Sequence, residues 1–128
     1  MKLSNSYIGL PEEFYQLIAP TPVKSPTMLA FNNSLAEELG IKLKEQEKID
    51  YFSGNTLPLK SVPIALNYAG HQFGNFVHEL GDGRAVLLGE VRSKNTSYDL
   101  QLKGSGITQF SRQGDGRSAL GPVIREYI

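Results

Sequence analysis

The tetrapeptide Gly-Asp-Gly-Arg occurs twice, at 81–84 and 114–117. Each copy pairs mobile backbone amides with a guanidinium, a combination that suits a phosphate oxygen. Asp-Gly is also a very common turn dipeptide, so one copy alone reads more readily as an ordinary turn. The flanks differ, so the two copies are not a structural repeat. Between them stands Lys103, at the end of the strand-like run SYDLQLKG. A lysine there can point into a cleft and neutralise phosphate charge; it can also be a solvated lysine on a half-exposed strand.

Glu126 follows 23 residues later, in the helix-like run VIREYI. In kinase-like folds a strand lysine is positioned by a helix glutamate, and the pair aligns the nucleotide phosphates. The order here, glycine turn, strand with Lys103, loop, helix with Glu126, matches that scheme. Gly81–Arg84 is not a GxGxxG loop, and a surface glutamate beside Arg125 is the plainer reading of Glu126. The two histidines, His71 and His78, are seven apart with no third ligand evident, which argues against zinc. Ser105 lacks the GxSxG frame of a nucleophilic serine and lies well downstream of both histidines. Tyr68, Phe73, Phe76 and Phe110 are expected in the core, since no basic cluster accompanies them as single-stranded nucleic acid binding would need.

The elements that must position these residues change character near residue 70. Ten of the 13 glycines lie from Gly70 to Gly121, and every arginine lies from Arg84 onward. The second half reads as β-structure around loops: FVHEL and AVLLGEVR as strands joined in a hairpin at Asp82-Gly83, then SYDLQLKG with Leu100 and Leu102 on one face. A long Gly-rich loop from Gly104 leads to a helix whose first turn accepts Pro122. The first half reads as packing, without catalytic spacing. PEEFYQLIA is expected to be helical, with Phe14, Leu17 and Ile18 on one face. NNSLAEELG is a second helix, with Asn33 or Ser34 as cap and Gly40 as stop, and KEQEKIDYFSG a third ending at Gly54. APTPVKSP is an extended connector.

Composition bounds the answer. The 128 residues suffice for one domain. Thirteen Lys and Arg balance 13 Asp and Glu, so there is no bulk charge to attract nucleic acid or an anionic membrane. The absence of cysteine excludes disulfides and thiolate chemistry and fits a reducing compartment, so a cytoplasmic location is the expectation. The terminal helix has no stop signal, which reads as a chain that continues.

At these motifs the sequence resembles a known family. YAGHQFG at 68–74, LGDGRAVLLGE at 80–90, LQLKGSGITQFSRQGDGR at 100–117 and REY at 125–127 look like the selenoprotein O family of protein adenylyltransferases, also called YdiU. The upstream runs NNSLAEELG and SGN are similar too, so the resemblance covers essentially the whole chain, although family members run several times longer. It implies an α+β fold: a protein-kinase-like N-lobe, an antiparallel sheet with one key helix, over 70–128, preceded by a helical extension over 1–69. It implies ATP bound in a flipped orientation, and transfer of AMP to Ser, Thr or Tyr hydroxyls of proteins. By motif, Gly81, Gly83 and Arg84 would form the nucleotide-binding turn, Lys103 would sit on the phosphates with Glu126 as its partner, and Asp115 and Gly116 would contact the nucleotide. The catalytic Asp and the ligands of Mg²⁺ or Mn²⁺ would lie beyond this chain, leaving it inactive alone, binding ATP weakly if at all, and with an uncovered apolar face through which it would self-associate. Alternatives left open are γ-phosphoryl transfer by the same fold, and a non-catalytic protein-interaction module.

Overall fold

The computed structural model describes residues 1–127; Ile128, the end of the expected last helix, lies outside them. Strands β1 (Tyr15–Leu17), β2 (Ile64–Leu66), β5 (Ala85–Ser93) and β6 (Thr96–Lys103) form one antiparallel sheet in the order β1-β2-β5-β6. Strands β3 (Gly70–Gln72) and β4 (Asn75–Val77) form a separate two-stranded ribbon. Helices α1 (Asn33–Glu38), α2 (Glu45–Phe52) and α3 (Leu120–Tyr127) complete an α+β fold. Both halves of the chain contribute strands to the main sheet.

The long β5–β6 hairpin carries the core. Its turn, Lys94-Asn95, holds Lys94 at φ 55° between the paired ends Ser93 and Thr96. A register shift between Leu87 and Gly89 changes the parity of β5. Val86, Leu88 and Val91 therefore reach the same cluster with Leu3 and Leu102, despite their uneven spacing. Gly89 allows the N-terminal segment to cross here: a Cβ on it would meet the Ser4 carbonyl at 2.5 Å. The amide of Glu90 donates to that same carbonyl at 2.6 Å.

Four expectations need correction. Residues 11–19 are not a helix: a 3₁₀ turn, Glu12–Phe14, leads straight into β1. So short a segment before Pro20 offsets the cost of helix nucleation poorly. Pairing with β2, and the bond from the Asn67 amide to the Phe14 carbonyl (2.8 Å), supplies its hydrogen bonds instead. Leu17 on the supposed apolar face is 65% exposed. The cap of α1 is Asn32, whose side chain accepts from the Leu35 amide at 3.0 Å, one residue before the expected pair. The run ending at Leu80 does not pair with β5 through Asp82-Gly83. β4 folds back on β3 through Phe73-Gly74 instead, and the Asp82 carboxylate is drawn inward. Finally, Tyr68, Phe73 and Phe76 are not core: all three are exposed, Phe73 to 96%. The Phe76 ring lies edge-on to His71 and His78, on the surface of the ribbon.

The other elements match expectation. α1 and α2 are followed by Gly40 (φ 68°) and Gly54 (φ 79°), residues 19–26 carry no helix or strand, and Pro122 lies in the first turn of α3. No helix among the described residues is long and apolar enough to cross a membrane.

Candidate functional site

The first Gly-Asp-Gly-Arg copy is a turn fixed from beneath by its own aspartate. Asp82 is only 6% exposed. Its Oδ2 accepts from the Leu66 amide and from Gln101 Nε2, each at 3.1 Å, and its Oδ1 accepts from the Tyr68 hydroxyl at 2.9 Å. Although the Tyr68 ring is exposed, partial desolvation of its phenol, then the bond to Asp82, pushes it up to about 12, so the hydroxyl stays a donor throughout the neutral range. One carboxylate thus ties the turn to β2, β6 and the connector before β3.

The same turn is bonded to the long loop between β6 and α3. Thr108 Oγ1 donates to the Asp82 carbonyl at 2.6 Å, and the Ser111 hydroxyl donates to the Gly83 carbonyl. Gly81, at φ 55°, lies against the Phe110 ring where any Cβ would overlap it. The second copy is folded by its own side chain: Asp115 Oδ1 accepts from the Arg117 amide at 2.9 Å. Gly116, at φ 69°, passes so close to the Gly106 carbonyl that a Cβ would collide with it.

The two copies therefore face each other across a hollow of about 440 Å³, lined by Leu80, Gly81, Gly83 and Arg84 on one side and by residues 110–117 on the other. Of the sequence-derived site residues, Gly81, Gly83, Arg84, Asp115 and Gly116 share it. Lys103 does not. It lines an adjoining hollow of about 260 Å³ with Gly104, Ser105, Ser118 and Val123, and Arg117 lies on the wall between the two. There Lys103 Nζ meets Glu126 Oε1 at 2.5 Å. Both side chains are about half exposed, so the pair contributes roughly 0–1 kcal/mol to stability and acts chiefly to fix where the ammonium sits.

Arg117 departs from the expected picture. Its guanidinium donates to the carbonyls of Thr21 (3.0 Å), Gly104 (3.3 Å) and Pro22 (3.5 Å). It is a strut between the proline-rich connector and the end of β6. Arg84 and Arg112 are both exposed on the larger hollow, without an ion pair or side-chain hydrogen bond among the described residues. Sequence reasoning passed over Arg112, although it lies two residues before the second copy; the contacts of Arg117 with Thr21 and Pro22, 96 and 95 residues away in sequence, leave no local trace.

The donor set fits a polyphosphate. It offers two guanidiniums without partners and an ammonium held by a glutamate. Two buried hydroxyls, Ser105 Oγ and Ser118 Oγ, also find no hydrogen-bond partner within the protein. Among the described residues no three His, Asp or Glu side chains gather, so these residues do not by themselves form an all-protein metal cage.

The whole chain, residues 1–128, matches the family described as "Protein adenylyltransferase SelO". The chain belongs to this family. Among its relatives, the protein nucleotidyltransferase YdiU of Agrobacterium fabrum is 58% identical over 132 residues, covering 100% of this chain and 27% of the relative. That of Maridesulfovibrio salexigens is 59% identical over 131 residues, covering 100% and 27%. One from a Bradyrhizobium species is 57% identical over 128 residues, covering 97% and 26%. The chain thus spans about a quarter of the length of these SelO relatives.

Proposed function

We propose that these residues form the nucleotide-binding part of an ATP-dependent protein adenylyltransferase, arranged as a protein-kinase-like N-lobe. The observation that carries the reading is the contact between Lys103 and Glu126 beside a hollow built from both Gly-Asp-Gly-Arg copies. Nucleotidyl transfer asks little covalent chemistry of a protein; it asks that the phosphates be held in line and their growing charge be met. Lys103 meets that charge, and Glu126 prevents the flexible lysine from swinging away. Gly81, Gly83 and Arg84 hold the nucleotide from the turn, and Asp115 and Gly116 from the loop. In this reading residues 70–128 supply the nucleotide-binding elements. Residues 1–69 support them through the Thr21 and Pro22 carbonyls on Arg117, and through Gln16 Oε1, which accepts from the Gln109 amide at 2.8 Å.

In the reaction an acceptor hydroxyl oxygen bonds to the α-phosphorus, the bond from that phosphorus to the β-phosphate bridge breaks, and pyrophosphate leaves. The acceptor proton passes to a base not assigned among these residues. Mg²⁺ or Mn²⁺ supplies further charge neutralisation when bound with ATP, through protein ligands that we place outside this chain. The test uses a full-length family member incubated with candidate protein acceptors and ATP labelled at either the α- or the γ-phosphate. Label on protein from the α-position is the expected result. Label from the γ-position would show phosphoryl transfer, and label from neither would favour a binding module.

A further inference from the structure

We infer that Arg112, not Arg117, is the loop arginine that grips the nucleotide's phosphates opposite Arg84. This rests on the polyphosphate reading of the larger hollow. Three guanidiniums border that hollow, from Arg84, Arg112 and Arg117. Arg117 is engaged with three backbone carbonyls, and turning it toward a ligand would leave Thr21 and Gly104 without those bonds. Arg112 has no such engagement and no carboxylate partner among the described residues. The one carboxylate on the wall, Asp115, already accepts from the Arg117 amide.

The backbone at Arg112 is well anchored. Its neighbour Ser111 donates from its hydroxyl to the Gly83 carbonyl, accepts from the Thr108 amide at 2.8 Å, and donates its own amide to the Thr108 carbonyl at 3.2 Å. The base of the Arg112 side chain is thereby fixed against the nucleotide turn while its head stays solvated. An arginine so placed can close on a phosphoanhydride oxygen pair with both arms of its fork, at the cost of ordering one side chain only. The ligand class is a di- or triphosphate chain, whether inorganic or carried on a nucleoside.

The test titrates ATP and inorganic tripolyphosphate into a full-length family member carrying each change at the matching position, with the binding isotherm and thermal midpoint recorded for each variant. Arg112→Gln should weaken both ligands roughly tenfold or more and leave the thermal midpoint where it was. Arg112→Lys, which keeps the charge but loses the fork, should recover part of the loss. Arg117→Gln should lower the thermal midpoint. Undiminished binding by Arg112→Gln, while Arg84→Gln and Lys103→Ala lose affinity, would overturn the role of Arg112 and leave the wider reading standing. Wild-type protein that binds neither ligand at millimolar concentration would overturn both.

Discussion

In a full-length SelO relative, replacing the lysine that matches Lys103 by methionine should cut transfer of α-labelled AMP to protein by about 100-fold or more. The side chain is close in volume, so the strand should keep its packing while the charge is lost. The ammonium sits 2.5 Å from Glu126, and both groups are half exposed. Loss of so exposed a pair costs about 1 kcal/mol of stability at most, so the thermal midpoint should barely move. The substitution therefore separates charge from fold: kcat/KM should collapse while the midpoint holds. Activity retained within a few-fold would remove Lys103 from the phosphates. A variant that lost its fold along with its activity would instead make the pair a structural one.

The second large effect is on stability. Leu88→Ala should cost roughly 2–5 kcal/mol, read as a lower urea midpoint at unchanged slope. Leu88 has no exposed surface and packs with Leu3, Val86, Val91 and Leu102. That loss is a large part of the roughly 5–15 kcal/mol that holds an ordinary domain together. The effect should reach the site as well. β5 begins directly after Arg84, β6 ends at Lys103, and the two strands hold each other through pairs such as Val86 with Leu102. A cost below about 1 kcal/mol would show that the hairpin core carries less of the stability than its burial implies.

Much of this was legible in the sequence because it is local. The apolar run AVLLGEVR and the alternation of Leu100 and Leu102 against Gln101 and Lys103 mark β5 and β6 directly. Glycines marked the ends of α1 and α2. The order of Lys103 and Glu126 was readable, since strand, loop and helix signals frame them. What sequence missed depends on distant partners. Residues 15–17 extend because β2 offers an edge some 50 residues later. Asp82-Gly83 carries a hairpin signal, yet the Asp82 carboxylate is drawn inward by the Leu66 amide, the Tyr68 hydroxyl and Gln101, none of which a turn dipeptide announces. Phe73 and Phe76 resemble core residues by type and stand exposed on a ribbon that has no layer over it. The exchange of roles between Arg112 and Arg117 follows from the position of Thr21, which local pattern cannot supply.

On this reading the turn at 81–84 and the loop before α3 grip one nucleotide together. Amide chemical-shift mapping of a full-length family member during titration with ATP, read at the residues that match this chain, decides it. The expected result is a single set of perturbations at Gly81, Gly83, Arg84, Lys103, Asp115 and Gly116, saturating with one affinity. Only one of the two tetrapeptides responding, or neither, would contradict it.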